Sequence, residues 1–358
     1  MHPRRFPFTL LPFTLLAPLL TDVAFPQDWP RFRGPNGTGI SPATTIPTTW
    51  NEGDYHWKIP LPGGGHSSPI LWANRIFLTT TLGSGGISLL GIDAESGALL
   101  WQKDHPFAPY RQHQFNSFAS SSPAADAERV YFCWATPDRL NLVALDHDGN
   151  EVWKRNLGPY RTQHGDGISP MLYQDKLILA NDQDGESFLI AVDPRSGETL
   201  WRTPRRSAGA AYSTPCVFHP EGGRPALLFN SEAHGISAID PDDGSLIWEY
   251  TDAFDKRSVS SPVVASGLII GSCGSGGGGN YVVAIRPPAG NDLQPQLAYE
   301  IRRSAPYVPT PVAVGELLFL WSDGGILTCV HAPTGEIKWQ ERVGGNFFGS
   351  PVLAEGRL

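Results

Sequence analysis

Charge is scarce in this chain. Asp, Glu, Lys and Arg make up 17% of its 358 residues, and the formal net charge is −8. A nucleic-acid partner requires a basic face that neutralises phosphates. The pairs Arg205-Arg206, Lys256-Arg257 and Arg302-Arg303 are isolated and read as solvated turns, so nucleic acid is excluded as a partner. Cysteine is scarce too: Cys133, Cys216, Cys273 and Cys329 lie apart in strand-like runs, with no two adjacent. Their scatter is no disulfide framework, and we read them as buried free thiols. No Ser-His-Asp order, paired carboxylate, Cys-His spacing, metal-protease motif or P-loop stands out. GSGGGG (Gly274–Gly279) formally satisfies G-x-G-x-x-G, but strand-like NYVVAI follows it where a phosphate site needs a helix. It is a glycine-rich turn. NDQDGE (Asn181–Glu186) resembles half of a calcium loop, yet Ala180 and Ala191 occupy the positions that need acidic ligands. It is a hairpin turn, and the residues predict no metal site.

What the chain does have is repetition. AVDPRSGETLW (Ala191–Trp201) recurs as GIDAESGALLW (Gly91–Trp101), AIDPDDGSLIW (Ala238–Trp248) and CVHAPTGEIKW (Cys329–Trp339). ALDHDGNEVW (Ala144–Trp153) is one residue shorter. Each copy reads as two antiparallel strands about a tight turn, with a bulge at a glycine free to take positive φ, ending on a large ring. A second mark is Ser-Pro or Thr-Pro opening an apolar run, with prolines at 69, 123, 170, 215, 262, 311 and 351. The intervals are 54, 47, 45, 47, 49 and 40 residues. Each Pro precedes a short run, a turn and then a strongly apolar run such as RVYFCWA or KLILAND. Four short strands per unit, at a period in the forties, predict the blades of an all-β propeller.

Complete units run over 69–101, 123–153, 170–201, 215–248, 262 to about 299, and 311–339. The fifth departs from the pattern, with Arg286 in place of Asp, an insertion after Gly290 and Tyr299 in place of Trp. Tyr55–Ile59 reads as an outermost strand carrying Trp57. The seventh unit opens at Pro351 and stops at Leu358, so we expect the fold to continue beyond it, with seven or eight blades when intact and six complete here. Residues 1–24 read as an export leader: His2, Arg4 and Arg5 precede the uncharged apolar stretch Phe6–Leu20, and Ala24 closes it. Its prolines and shortness speak against a spanning helix, so no transmembrane segment is expected in the mature chain and its destination is periplasmic or extracellular. Residues 25–54 read as an irregular segment packing across the propeller on Trp29 and Phe32, and 55–358 as the propeller itself.

These phrases resemble the docking motif A-x-D-x-x-T-G-x-x-x-W of the pyrroloquinoline-quinone-like repeat propellers, over nearly all of the chain past the leader. DWPRFRGPNGTGIS (Asp28–Ser41), NSFASSSP (Asn116–Pro123) and HGDGISP (His164–Pro170) look like an exported bacterial branch of that family. The resemblance implies that Trp57, Trp101, Trp153, Trp201, Trp248 and Trp339 pack between blades, each on the small first residue of an adjacent motif. It implies function far less firmly than fold. Its quinone-dependent alcohol dehydrogenases use a Ca²⁺ site of Glu, Asn and Asp, a catalytic Asp and two adjacent cysteines. Those local patterns are not placed here, so no quinone cofactor is expected.

One constellation remains. The longest joins between units share a phrase, PYRQH (Pro109–His113) and PYRTQH (Pro159–His164). In a propeller the residues before each Ser/Thr-Pro approach the central channel. His66, Asn116, His164, Asp166, Tyr212, Arg257, Tyr307 and Asn346 are therefore rim candidates, joined by Arg111, His113 and Arg161 of the shared phrase. Arg and His beside aromatic residues can hold an anionic or sugar-like group. The reading is an exported, non-enzymatic binding or scaffold protein whose rim recognises a small polar ligand or a protein partner. Its rivals are a quinone-dependent dehydrogenase and a scaffold for outer-membrane assembly.

Overall fold

The computed structural model describes residues 28–290 and 293–358. The leader reading at 1–24 lies outside the described residues, as does part of the insertion after Gly290.

Six four-stranded sheets follow one another along the chain, each pairing its strands in sequence order. Blade one is Ile70–Trp72, Arg75–Thr81, Ile87–Asp93 and Leu99–His105; blade two is Ala124–Ala125, Arg129–Thr136, Arg139–Asp146 and Glu151–Asn156. Blade three is Met171–Tyr173, Lys176–Asn181, Ser187–Val192 and Thr199–Arg205; blade four is Cys216–Phe218, Ala226–Ser231, Gly235–Ile239 and Leu246–Tyr250. Blade five is Val263–Ala265, Leu268–Cys273, Tyr281–Arg286 and Gln296–Ile301; blade six is Val312–Val314, Leu317–Trp321, Ile326–His331 and Glu336–Arg342. All pairings within the blades are antiparallel. The fold is an all-β propeller. Among the described residues no helix is long and apolar enough to cross a membrane.

The middle strands read as unbroken apolar runs because both of their faces are covered. Ser187–Val192 and Ala226–Ser231 are buried at every position. Five core clusters fill the spaces between successive blades, from blades one and two through to five and six. Outer strands need only one covered face and are correspondingly polar and exposed, as in Leu99–His105. All four cysteines are buried and free.

The repeated phrase has a single geometry. In every blade the pairing slips by one residue just after the motif's first position, for example between Ala191 and Val192 or between Ala238 and Ile239. In blades one, two, three and five the ring then leans onto the next blade's turn. The indole N–H of Trp101 donates to His147 O (2.9 Å), that of Trp153 to Pro194 O (2.9 Å) and that of Trp201 to Pro241 O (3.0 Å). Tyr299 makes the same reach with its hydroxyl, to Ala332 O at 2.7 Å. The next motif's glycine lies beneath the ring. Gly244 has φ of 75°, and a Cβ there would come within 2.5 Å of Trp201 Cε3. The small first residue has a different role from the one implied by resemblance. It is the cross-strand partner of its own motif's ring, as in Gly91 opposite Trp101 and Ala191 opposite Trp201.

Two docking assignments change. Tyr55–Ile59 forms no strand, since Pro60 and the nearby Pro62 remove backbone donors and no neighbouring strand pairs with it. Trp57 docks nonetheless, donating to Ala94 O at 2.9 Å. Trp248 is buried between blades four and five. Trp339 does not dock: it is 44% exposed, rests beside Phe319 of its own blade at 6.2 Å, and has no indole hydrogen bond among the described residues. Among the described residues no neighbouring turn covers it.

The segment Asp28–Ser41 is a strap across one end of the channel. Trp29 exchanges backbone hydrogen bonds with Leu71, and Ala125 N donates to Pro30 O. Arg31 donates to Pro215 O (2.6 Å), while Arg33 reaches Pro311 O (2.8 Å) and Pro351 O (2.9 Å). Asn36 exchanges two hydrogen bonds with the backbone of Val217. Ile40–Ser41 pairs in parallel with Leu353–Ala354. With Arg31 also donating to Met171 Sδ of blade three (3.4 Å), one strap touches five of the six blades and the segment after blade six. Burial lowers the pKa of Arg31 to about 10 and of Arg33 to about 9, so both stay charged at neutral pH among backbone carbonyls.

Candidate functional site

The seven Ser/Thr-Pro pairs meet around the channel, and their hydroxyls stitch the blades together. Ser68 N donates to Ser122 Oγ (2.9 Å) and Ser122 N to Ser169 Oγ (3.0 Å). Thr214 N donates to Ser261 Oγ, Ser261 N to Thr310 Oγ1 and Thr310 N to Ser350 Oγ, each at 3.0–3.1 Å. Proline next in the chain ends each N–H row, and the hydroxyl supplies the acceptor that a backbone carbonyl would otherwise provide. Sequence reading took these pairs only as strand openers.

Above this ring opens a cavity of about 1020 Å³, with Phe32 of the strap among its lining residues. Nine of the eleven rim candidates line it: His66, His113, Asn116, His164, Asp166, Tyr212, Arg257, Tyr307 and Asn346. Arg111 and Arg161 do not. Both are exposed and outside the wall, a correction to the reading of the shared phrase. The phrase anchors the joins through its tyrosines and backbone. Tyr110 OH donates to Ala135 O (2.8 Å), and Tyr160 is buried. Arg161 contributes its backbone, N to Gln183 Oε1 at 2.7 Å and O from Asp184 N at 2.9 Å. The hairpin NDQDGE therefore holds a join in place.

The histidines of that phrase face inward. His113 and His164 rings are 5.0 Å apart, and His113 N donates to His164 O. Asn116 Nδ2 donates to both His164 O and Asp166 O at 2.9 Å, locking the second join against the third. Arg257 arrives from the blade-five join: Nη1 donates to His164 Nε2 (3.2 Å), Nη2 to Gln163 Oε1 (3.4 Å) and Nε to Ala210 O (3.1 Å). Phe115 continues the band, 5.5 Å from His113 and stacked at 5.3 Å on Phe348 of the last join. Both phenylalanines line the cavity and were missed from sequence, because a lone Phe in a loop is indistinguishable from a packing residue. The turn of GSGGGG also reaches the wall, through Ser275, Gly276 and Gly278.

The electrostatics are uneven. Burial lowers the His164 pKa, with Arg257 and His113 adding to the fall, so its imidazole is neutral. It accepts from Arg257 on Nε2 and therefore carries its proton on Nδ1. Burial raises Asp166 to about 7; Oδ2 accepts from Ala135 N at 2.6 Å, while Oδ1 has no partner. Burial also raises Asp323, whose oxygens accept from Tyr307 N and Val308 N. Tyr212 OH and Thr162 Oγ1 lie 2.7 Å apart, and burial raises the phenol to about 12.

A quinone with Ca²⁺ does not fit this donor set. Calcium takes roughly six to eight oxygen ligands. The wall's two carboxylates, Asp166 and Asp323, are each held on backbone amides. Among the described residues no three His, Cys, Asp or Glu side chains converge on a common metal position, and no two cysteines adjoin.

A family model described as outer membrane protein assembly factor BamB, of the PQQ-like repeat type, matches residues 48–169, 119–294 and 278–358. The assembly factor BamB of Alkalilimnicola ehrlichii is 24% identical over 206 residues, covering 58% of this chain and 48% of that protein. A polyvinylalcohol dehydrogenase of Pseudomonas sp. is 24% identical over 163 residues, 41% of this chain and 24% of that one. The chain thus spans about half the length of the assembly factor, and less of the dehydrogenase. The crystal structure of BamB from Moraxella catarrhalis superposes with a TM-score of 0.55 at 16% identity, over 77% of this chain and 73% of that one, a likeness of fold. Matched from residue 48 to residue 358, the chain belongs to the PQQ-like repeat propeller family described as outer membrane protein assembly factor BamB.

Proposed function

We propose that the protein is an exported binding propeller, not a catalyst, which takes a small polar ligand into its central channel. The observation that carries this reading is the cavity of about 1020 Å³, strapped at one end and walled near the other by inward polar side chains from successive joins. Its size is that of a drug-sized ligand pocket, whose specificity comes from a few placed polar groups. Export is supported by the basic and apolar start of the chain and by the outer-membrane assembly factors among its relatives. The test is a thermal-shift screen of amino acids, sugars, sugar acids and aromatic acids against the purified protein and Gly276→Trp. A Cβ on Gly276 meets open space at the channel wall, so the indole adds bulk there without disturbing the core. A ligand at about one hundred times its Kd adds about 2.7 kcal/mol to the stability of the wild type. Equal stabilisation of Gly276→Trp by every ligand found refutes a channel site.

A scaffold role has its own support. The outer strands begin with exposed apolar residues, Leu99 and Leu100, Val152, Leu200, Leu246 and Ile247, Leu297 and Ile337. Recurring from blade to blade, they make an apolar periphery of the kind that marks protein contact. Leu246→Glu with Ile247→Glu removes part of it, and unchanged co-purification of partners from envelope extract with that variant would rule this surface out.

A further inference from the structure

Arg257 makes no ion pair among the described residues. Its three hydrogen bonds, to Ala210 O, His164 Nε2 and Gln163 Oε1 at 3.1–3.4 Å, all go to neutral acceptors, and the Tyr307 phenol stands beside it. Among the described residues no carboxylate reaches ion-pair distance of it, although Glu232 and Asp184 stand in its neighbourhood. The contrast lies one join away. Arg205, more deeply buried, is clamped bidentately by Asp182 at 3.1 and 3.2 Å. A half-buried guanidinium is stabilised most by an anion that matches its fork. The cavity is where such an anion can approach, since Arg257 lines it.

Rings extend from it along one side of the wall, while the wall's carboxylates, Asp166 and Asp323, are held on backbone amides. His113 Nδ1 accepts from Phe115 N (3.3 Å), which puts its proton on Nε2. Beyond His113, Phe115 and Phe348 stack on each other while remaining 60% and 48% exposed. Two large rings held together in solvent, at the edge of a cavity, offer a flat apolar face to a ligand. Phe348, Phe115, His113, His164 and Arg257 form one continuous band from the last join to the blade-five join.

We propose that the channel ligand is a small ring-bearing carboxylic acid, its carboxylate on Arg257 beside His164 and its ring lying along the His164 and His113 rings toward Phe115. This rests on the channel being a ligand site. Acid and neutral twins separate the two ideas: benzoate against benzyl alcohol, and glucuronate against glucose, with inorganic phosphate as an acid that has no ring. Each is titrated calorimetrically into wild type, Arg257→Met, Arg257→Lys and Phe115→Ala. At least one of the two acids binds wild type, its neutral twin binds at least about 10-fold more weakly, and Arg257→Met weakens the acid by about 10- to 100-fold, the worth of a charge-assisted hydrogen bond. Arg257→Lys keeps part of the affinity, phosphate binds more weakly than the ring acid, and Phe115→Ala weakens the acid but leaves phosphate unchanged. Melting curves check that the variants fold, and Arg257→Lys carries the test if Arg257→Met melts early. A neutral twin that binds as tightly as its acid, or an acid indifferent to Arg257→Met, overturns the acid assignment while Gly276→Trp still decides the channel. Failure of both acids to bind at millimolar concentration overturns it as well, and neutral hits in the broader screen then keep the channel reading alone.

Discussion

Replacing Trp201 by Ala, with Trp339→Ala as its counterpart, tests the blade-docking geometry directly. The two tryptophans hold the same place in the same repeated phrase, yet the structure treats them oppositely. Trp201 is 7% exposed, its N–H is bonded to Pro241 O, and Gly244 lies against its ring. Trp339 is 44% exposed with no indole hydrogen bond among the described residues. Truncating a buried Trp costs about 3–5 kcal/mol through lost burial and the cavity left behind. The abandoned Pro241 carbonyl adds about 1 kcal/mol where water cannot reach it. Trp339→Ala removes a ring already half in water and costs about 1 kcal/mol. Urea denaturation of both variants, followed by circular dichroism, reads the difference. Losses that agree within about 1 kcal/mol would refute the argument that docking on the next turn, and not the motif itself, is what stabilises the propeller.

Three further outcomes follow from polar groups inside the propeller. Ser122→Ala removes the hydroxyl that accepts from Ser68 N and leaves a half-buried N–H unmatched, costing about 1 kcal/mol in the same urea assay, with Ser41→Ala near zero as control. Arg205→Met strands Asp182, since the pair is 2% and 5% exposed, and costs about 3–5 kcal/mol; a loss below about 1 kcal/mol would mean that Asp182 finds water. The Asp166 carboxyl, at about 7 in the fold against an ordinary 3.8, keeps its proton where the unfolded chain has released it. The native state therefore binds the extra proton between about pH 4 and 7, and stability falls as pH rises through that window, by at most about 1.4 kcal/mol per unit. Subtracting the Asp166→Asn curve isolates this slope from His164, whose lowered pKa acts in the opposite sense; coincident curves from pH 4 to 8 would show that Asp166 is ionised throughout.

The fold was legible because a blade is a local object. The four strands, the turn glycine and the terminal ring all lie within one repeat, so spacing alone exposes them. Trp57 shows the limit: its ring follows the pattern and docks, but the strand read around it needs a partner that a single sequence cannot display. The site was half legible for a related reason. Position before a Ser/Thr-Pro reports nearness to the channel, and that rule placed His66, Asn116, Asp166, Tyr212, Arg257 and Tyr307 correctly. Recurrence of PYR reports only that something is needed twice. The need is for Tyr110 and Tyr160 under the joins, while the arginines point away. Arg31 and Arg33 were overlooked for the opposite reason, since arginine in a turn-rich segment reads as solvated until the carbonyls that surround it are seen.

The channel divides into two belts with different chemistry, and that division says where recognition belongs. At the level of the Ser/Thr hydroxyls the acceptors are already occupied by backbone amides, and Arg33 of the strap is bonded to four backbone carbonyls. A ligand gains little there, because each new hydrogen bond would displace one that holds two blades together. One step outward the balance reverses. Arg257 has neutral partners only, Asp166 Oδ1 has none, and the Phe115–Phe348 stack is open to solvent. These groups are nonetheless fixed, because Asn116, Gln183 and Asp184 pin the joins that carry the histidines. Polar groups that are held in place but not satisfied lose little entropy when a ligand satisfies them. The inner belt therefore stabilises the propeller, and the outer belt is the part of the wall with binding energy left to give.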